Sequence, residues 1–197
     1  MQYRISFRWN VVSLGVLMAL LGWPAPGGAQ TVSGQARAIQ ATVPGAGTTT
    51  LADTGTLGSA IDAREASQGA GSIAALVSGE ALHATTIGWP DQVASEASVA
   101  DLALTIAGTT IGAGSVLTEA VARLGAAPTG TVTFDALSIN GMPVGASAPN
   151  QTFYIPGGRI VVNEQIASAG RIVVNALHIV VAGVADVVIA SATAGVR

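Results

Sequence analysis

Short extended segments closed by tight, glycine-bearing turns recur through the second half of this chain, and that grammar restricts it to antiparallel strands. Asp101–Ile111, Asp135–Val144 and Asn175–Val184 each join an extended run to a second one through such a turn. In the middle segment, Asn140-Gly141 accepts the positive φ angles that a two-residue hairpin turn demands. Pro156-Gly157-Gly158 marks another reversal, between Thr152–Ile155 and Arg159–Asn163. The shared leucines Leu104, Leu137 and Leu177 stand 33 and 40 residues apart, too unevenly for a solenoid of one repeat length. The pattern is recurrent hairpin grammar, not a repeat protein.

The first half reads the same way with weaker signals. Gln35–Val43 alternates polar with small or apolar residues, Pro44-Gly45 ends it, and Thr48–Ala52 resumes, predicting a hairpin over Gln35–Ala52. Ser72–Gly79 and Ala81–Ile87 read as a pair about Gly79, before a break at Gly88-Trp89-Pro90-Asp91. Ser115–Gly125 fits a helix, with Leu117, Val121 and Leu124 on one face and Glu119 four residues before Arg123, and fits a strand equally. Ala176–Val196 is apolar and long enough to raise a membrane span, yet His178, Asp186 and Ser191 fall inside it, so two buried strands fit better. Alternation of Val161, Asn163 and Gln165 against Val162, Glu164 and Ile166 is imperfect, which implies strands buried on both faces or lying at an edge. The expected fold is all-β, an antiparallel sandwich or Greek-key barrel.

Residues 1–29 have the layout of a secretory signal peptide: Arg4 and Arg8, an apolar run from Val11 to Leu21, and a breaker-rich exit with small residues at Gly27 and Ala29. The expected cut lies between Ala29 and Gln30, leaving a flexible lead over 30–34 and a single domain over 35–197. Of eight cationic residues, all arginine, two leave with the leader, so six arginines face eleven carboxylates. An acidic, lysine-free surface repels phosphate backbones and anionic head groups, which argues against nucleic acid as a partner and against a stable membrane association after cleavage. With no cysteine, disulfides and thiolate metal sites are excluded, and stability rests on packing. Only 10% of residues are charged, against roughly a quarter in ordinary soluble domains, a composition suited to packing against neighbours or a wall.

Several stretches carry a family resemblance: Arg64–Ser67, Ser95–Leu102, Pro149–Thr152, Pro156–Arg159 with Val162–Gln165, and above all Val174–Ser191. In that order they resemble the choice-of-anchor P family of bacterial secreted proteins. The resemblance runs from about Gly34 to Ala194 and implies an exported or surface domain with no established enzymatic activity. The sequence ends at Val196-Arg197 without a sorting motif, so the expected outcome is release or non-covalent retention at the envelope.

Candidate chemistry is sparse. His83 and His178 occupy matching contexts, Ala-Leu-His, and on neighbouring strands they would share a divalent metal with Asp186 or Asp101. The simpler expectation is two histidines satisfied by hydrogen bonds, with no cofactor. Glu65, Glu96, Glu119 and Glu164 recur in similar surroundings and suit either paired-carboxylate chemistry or solvent-facing positions near Arg64, Arg123 and Arg159. No Gly-x-Ser-x-Gly elbow is present, and Asn150-Gln151-Thr152 is a common triplet with little weight as a glycosylation acceptor. Trp89, Phe153 and Tyr154 are candidate loop aromatics for a ligand, with Phe134 the other aromatic downstream of the leader. Three readings follow. The first is an exported, non-enzymatic β domain that associates with itself or with cell-envelope components. The second is a monomeric carbohydrate- or wall-binding module using Trp89, Phe153 and Tyr154. The third is a secreted glycoside hydrolase using Glu96 or Glu164.

Overall fold

A computed structural model describes residues 31–145 and 148–197. The leader at 1–29 and the Ala29–Gln30 junction lie outside the described residues. The chain forms a β-sandwich of two antiparallel sheets rather than a closed barrel. The strands are β1 (Val32–Val43), β2 (Gly47–Asp53), β3 (Ala63–Ile73), β4 (Val77–Trp89), β5 (Gln92–Ile106), β6 (Thr109–Arg123), β7 (Thr129–Asp135), β8 (Ser138–Ile139), β9 (Met142–Pro143), β10 (Gln151–Ile155), β11 (Gly158–Ser168), β12 (Arg171–Val181) and β13 (Ala185–Val196).

The six-stranded sheet has the order β10-β11-β12-β13-β1-β2, and the seven-stranded sheet runs β3-β4-β5-β6 with β8-β9 along one half of β6 and β7 along the other. The seven-stranded sheet is thus one continuous meander. The six-stranded sheet is closed by the pairing of β1 with β13, from Val32↔Val196 to Thr42↔Asp186. Thr31 and Arg197 extend that ladder by exchanging backbone hydrogen bonds of 2.9 and 3.0 Å.

The expected hairpins at Gln35–Ala52, Ala107-Gly108, Asn140-Gly141 and Gly157 are present, as is the break after Trp89. Two readings change and an open one is resolved. The described part of the expected lead, residues 31–34, is not free, because β1 already starts at Val32 and the Gly34 backbone packs closely against Thr86, Leu57 and Val93. Glycine there marks a close approach rather than flexibility. Gly79 lies within β4, where a Cβ would collide with Val99, and the reversal falls instead at Ala74-Ala75. Both alanines hold positive φ, 51° and 53°, a geometry that residue type does not announce. Ser115–Arg123 resolves as strand, with Leu124-Gly125 in the following turn, because β6 lies between β5 and β7 and buries Val116, Thr118, Ala120 and Ala122 in strict alternation. Ala176–Val196 forms the end of β12 and all of β13, as two buried strands, and no described helix is long and apolar enough to cross a membrane.

The imperfect alternation has a specific cause. In β13 the buried residues are Ala185, Val187 and Ile189, then Ala190, Ala192 and Ala194, so the inward parity shifts by one residue at Ile189-Ala190. The same shift occurs in β1 at Ala38-Ile39, and the pairs Arg37↔Ser191 and Ile39↔Ile189 straddle it. β12 and β11 shift in the same row, between the pairs Val162↔Leu177 and Glu164↔Asn175. The seven-stranded sheet repeats the device: β5 changes from Val99 to Leu102 as its inward residues, and β6 from Ala113 to Val116. Because neighbouring strands shift together, each sheet carries a crease; the six-stranded sheet keeps its register through it, whereas β4 slips against β5 between Ser78 and His83 and then recovers.

Within the creases, Asn163 and Ala190 of one sheet and Ala81 and Asp101 of the other have positive φ, between 43° and 53°. Asn and Asp tolerate that region, whereas alanine there costs about 1 kcal/mol. Straight strands of 12–15 residues would twist their inward faces off the opposing sheet, and the crease returns both halves to the core. Replacing the exposed Ala81 by glycine removes the strain without altering packing. Ala81→Gly is therefore expected to raise the urea unfolding free energy by about 0.5 kcal/mol or leave it level, and Ala81→Val to lower it by at least ~1 kcal/mol. A strand position of ordinary φ would give the opposite order.

Candidate functional site

The creases decide which polar side chains meet. Val162 points into the core, so in an unbroken strand Glu164 would point inward too. The positive φ of Asn163, 53°, turns Glu164 outward instead, onto the face where β12 presents Asn175 and His178. There the Asn175 amide donates to Glu164 Oε2 at 2.6 Å, and His178 Nδ1 lies 2.9 Å from the same oxygen. On the other side of the ring, His178 Nε2 is 3.1 Å from Asp186 Oδ1. One imidazole thus bridges carboxylates from β11 and β13 across the strand between them.

His178 and Glu164 are half-buried, with side-chain exposures of 23% and 15%. The hydrogen bond that His178 donates to Glu164 raises the His178 pKa above its usual 6.5, against the opposing effect of burial. The same bond lowers Glu164 below its usual 4.5, helped by Asn175 and by the nearby charge of Arg159. With a carboxylate at each ring nitrogen, the arrangement holds an imidazolium that donates twice. A metal ion would need a ring lone pair and ligands converging from one side. Among the described residues, no group of three or more His, Cys, Asp or Glu side chains does so.

His83 does not join this cluster. It lies on β4 in the opposite sheet, with Nε2 3.4 Å from Glu65 Oε1. Asp101 sits in the crease of that sheet and, with Glu80, lines an open depression of about 440 Å³. Three of the four recurrent glutamates come together elsewhere. Register places Glu65 beside Thr85, Thr85 beside Glu96, Glu96 beside Glu119 and Glu119 beside Thr131, forming one row across β3 to β7. Thr131 donates to Glu119 at 2.8 Å. Arg64 is engaged with Asp62, whose pKa is lowered by the backbone amide of Gly58 and by Arg64, and Arg123 donates to Gln92.

The aromatics are distributed, not gathered. Trp89 ends β4 at the turn into β5, 41% exposed on the outer face of the seven-stranded sheet. Phe153 and Tyr154 lie on β10, the edge of the other sheet, beside the turn at Pro156-Gly157. That turn neighbours the β12–β13 turn, at the opposite end of the sandwich from Val93 and Trp89. Phe153 packs on the core, as does Phe134, while Tyr154 is almost fully exposed. Only Trp89 stands near the acidic row, two rows along from the shallow depression lined by Ile87, Ala94, Glu96, Glu119 and Val121.

Sequence reasoning grouped His178 with His83 and with Asp186 or Asp101 as a metal set, and it kept Glu164 apart from His178, because regular alternation sends Glu164 to the wrong face. The available signal was Asn163, a residue that accepts positive φ inside an otherwise apolar strand. Comparison with family models, curated proteins and solved structures gave no match to the chain.

Two predictions follow from these charges. A raised His178 pKa stabilises the fold fully below pH 6.5 and loses that contribution as pH rises through the folded value. The lowered Glu164 pKa contributes above pH 4.5 and is lost as pH falls through its folded value. The stability difference between wild type and His178→Gln is therefore expected to peak between pH 4.5 and 6.5 at about 1–2 kcal/mol and to shrink on both sides. Urea titrations across pH measure it, and a difference independent of pH would refute the linkage. Glu96 faces Glu119 directly, a like-charge pair that costs a few tenths of a kcal/mol or more. Glu96→Gln should raise the melting temperature at low ionic strength, with the gain fading at about 1 M salt.

Proposed function

We propose that this protein is an exported, non-enzymatic β-sandwich with a structural role at the cell surface or envelope, held there by association with itself or with envelope components. The observation that carries this reading is β3, an edge strand of 11 residues exposed along nearly its whole length, without proline or lysine. Proteins that work as dilute monomers blunt such edges with charge, proline or short length, whereas a protein that works by packing keeps one open. The leader, the low charge and the segments resembling the choice-of-anchor P family support the same reading.

A second reading, a wall- or carbohydrate-binding module, is favoured by one observation. Trp89 stands on the same sheet face as the depression beside Glu96 and Glu119, an aromatic surface next to hydrogen-bond acceptors. Phe153 and Tyr154 belong to the other end of the molecule and do not contribute to it. A hydrolase is the weaker reading, because Glu164 is engaged by His178 and Asn175 and Glu96 stands on an open sheet face.

Fractionation of cells expressing the tagged full chain tests the first reading. Recovery of processed protein in the envelope or extracellular fraction, cleaved after Ala29, is expected. An uncleaved cytoplasmic pool would overturn it. Saturable binding to purified wall polysaccharide that disappears in Trp89→Ala but persists in Tyr154→Ala would favour the second.

A further inference from the structure

The two ends of the sandwich differ in what they expose. At one end Thr31 pairs with Arg197, and β4, β6 and β11 turn back. Ile61, Trp89 and Leu124 are exposed there, Ile61 to 82%. Backbone hydrogen bonds set the three side by side. The Gly88 amide donates to the Asp62 carbonyl at 2.9 Å, which puts Ile61 next to Trp89, and the Leu124 amide donates to the Asp91 carbonyl at 2.8 Å, which puts Leu124 at the Trp89-Pro90-Asp91 turn. Gly125–Pro128, which follows, contains only glycine, alanine and proline. None of the three large side chains packs on the core, so together they form an uncovered apolar rim.

Arginine is gathered at the same end. Arg123 ends β6, Arg171 opens β12 and Arg197 lies opposite Thr31, and among the described residues none of the three forms an ion pair. Their polar contacts are neutral: Arg123 donates to Gln92, and Arg197 to the Ala169 carbonyl. Of the carboxylate side chains only Asp62 and Asp91 reach this end, and Asp62 is paired with Arg64 at 2.8 Å. Glu65, Glu96 and Glu119 stand about 13 Å back along their strands. That is beyond the ~8 Å screening length at physiological salt. The acidic overall charge therefore conceals a cationic, apolar end. At the opposite end, where Tyr154 and Val184 are exposed, Arg159 and Asp186 are mixed instead.

An apolar rim accompanied by unpaired arginines fits one kind of surface. An anionic wall polymer would engage the arginines and leave Ile61 and Leu124 in water, and an apolar protein groove would leave the arginines unpaired. The interface of an anionic bilayer satisfies both, with apolar side chains at the acyl boundary and guanidinium groups among the phosphates. The chain also delivers this end to a bilayer. The leader joins the described residues at Thr31, and the ten residues from Gly22 to Thr31 span at most about 35 Å from its apolar run.

We infer that the Trp89 end of the sandwich docks on a phospholipid bilayer containing anionic head groups, with Ile61, Trp89 and Leu124 inserted and Arg123, Arg171 and Arg197 against the phosphates. This rests on the envelope reading above and names the component. The docking is peripheral and reversible, because a few side chains enter and no strand crosses.

Residues 30–197 hold every described strand and a single tryptophan, Trp89, so tryptophan emission from the processed chain reports this end alone. With vesicles of equal parts phosphatidylglycerol and phosphatidylcholine, the protein is expected to sediment with the lipid, and Trp89 emission to shift to the blue and be quenched by acyl-brominated lipid. Pure phosphatidylcholine is expected to bind at least about tenfold more weakly, and Arg123→Gln to weaken binding about fivefold. Leu124→Ser is expected to weaken it about tenfold, and Tyr154→Ala to match wild type, all with unchanged circular dichroism. Protein that stays in the supernatant, equal binding to both vesicle types, or undiminished binding of Leu124→Ser would overturn the inference. So would a blue shift produced by concentrating the protein alone, which assigns the rim to a second copy, or by soluble polyphosphate, which assigns the arginines to a free polymer. Protein retained in the envelope by the fractionation above yet indifferent to vesicles refutes the docking and leaves the wider reading standing.

Discussion

Everything distinctive in this molecule depends on a constraint of twisted sheets: a strand of 12–15 residues cannot keep one face on a flat partner along its whole length. The chain resolves it with a coherent shift of inward parity, made in one row across each sheet through left-handed backbone angles at Asn163, Ala190, Ala81 and Asp101. A shift in one strand alone would break the ladder. Made in concert, it preserves pairing and lets two halves of each long strand reach a common core. The small residues along the creases, such as Ala38, Ala176 and Ala190, are buried where the backbones bend.

The bridge around His178 is a product of that bend. Without the turn at Asn163, Glu164 would face apolar neighbours, where a carboxylate is expensive to hold. With it, one ring ties β11 and β13 across β12, and the acidic end of the pH range favours the tie until Glu164 itself is neutralised. The opposite sheet contrasts with this. Its row of Glu65, Glu96 and Glu119 is regular because β3 to β6 keep one register there, and the direct Glu96–Glu119 pairing stores repulsion on a solvent face.

Local chemistry made the turns legible. Asn140-Gly141, Pro156-Gly157 and Pro44-Gly45 announce reversals because their residues are suited to those dihedrals, and each reversal was found there. What stayed hidden was governed by distant contacts. Gly79 looks like a turn but is small because Val99 sits over it, and Gly34 looks like a flexible lead but is small because two sheets meet at it. Ala74-Ala75 turns without a turn residue. The helix-like spacing of Leu117, Val121 and Leu124 had no weight once β5 and β7 flanked the segment. Of the candidate site, the sequence suggested His178 with Asp186 only as part of a metal set that included His83 or Asp101, and the tie to Glu164 was hidden for the same reason that the creases were.

The closing of β1 against β13 also sets an order of events. The meander from β3 to β9 contains all its own partners, so its pairing can proceed as soon as residues through Pro143 are free. The first strand, by contrast, lacks its principal neighbour until residues 185–196 arrive, after nearly the whole chain has been made. Contacts of such sequence separation form late. Until then the opening strand has only the short β2 beside it, along Arg37–Val43, and its other edge stays open for β13.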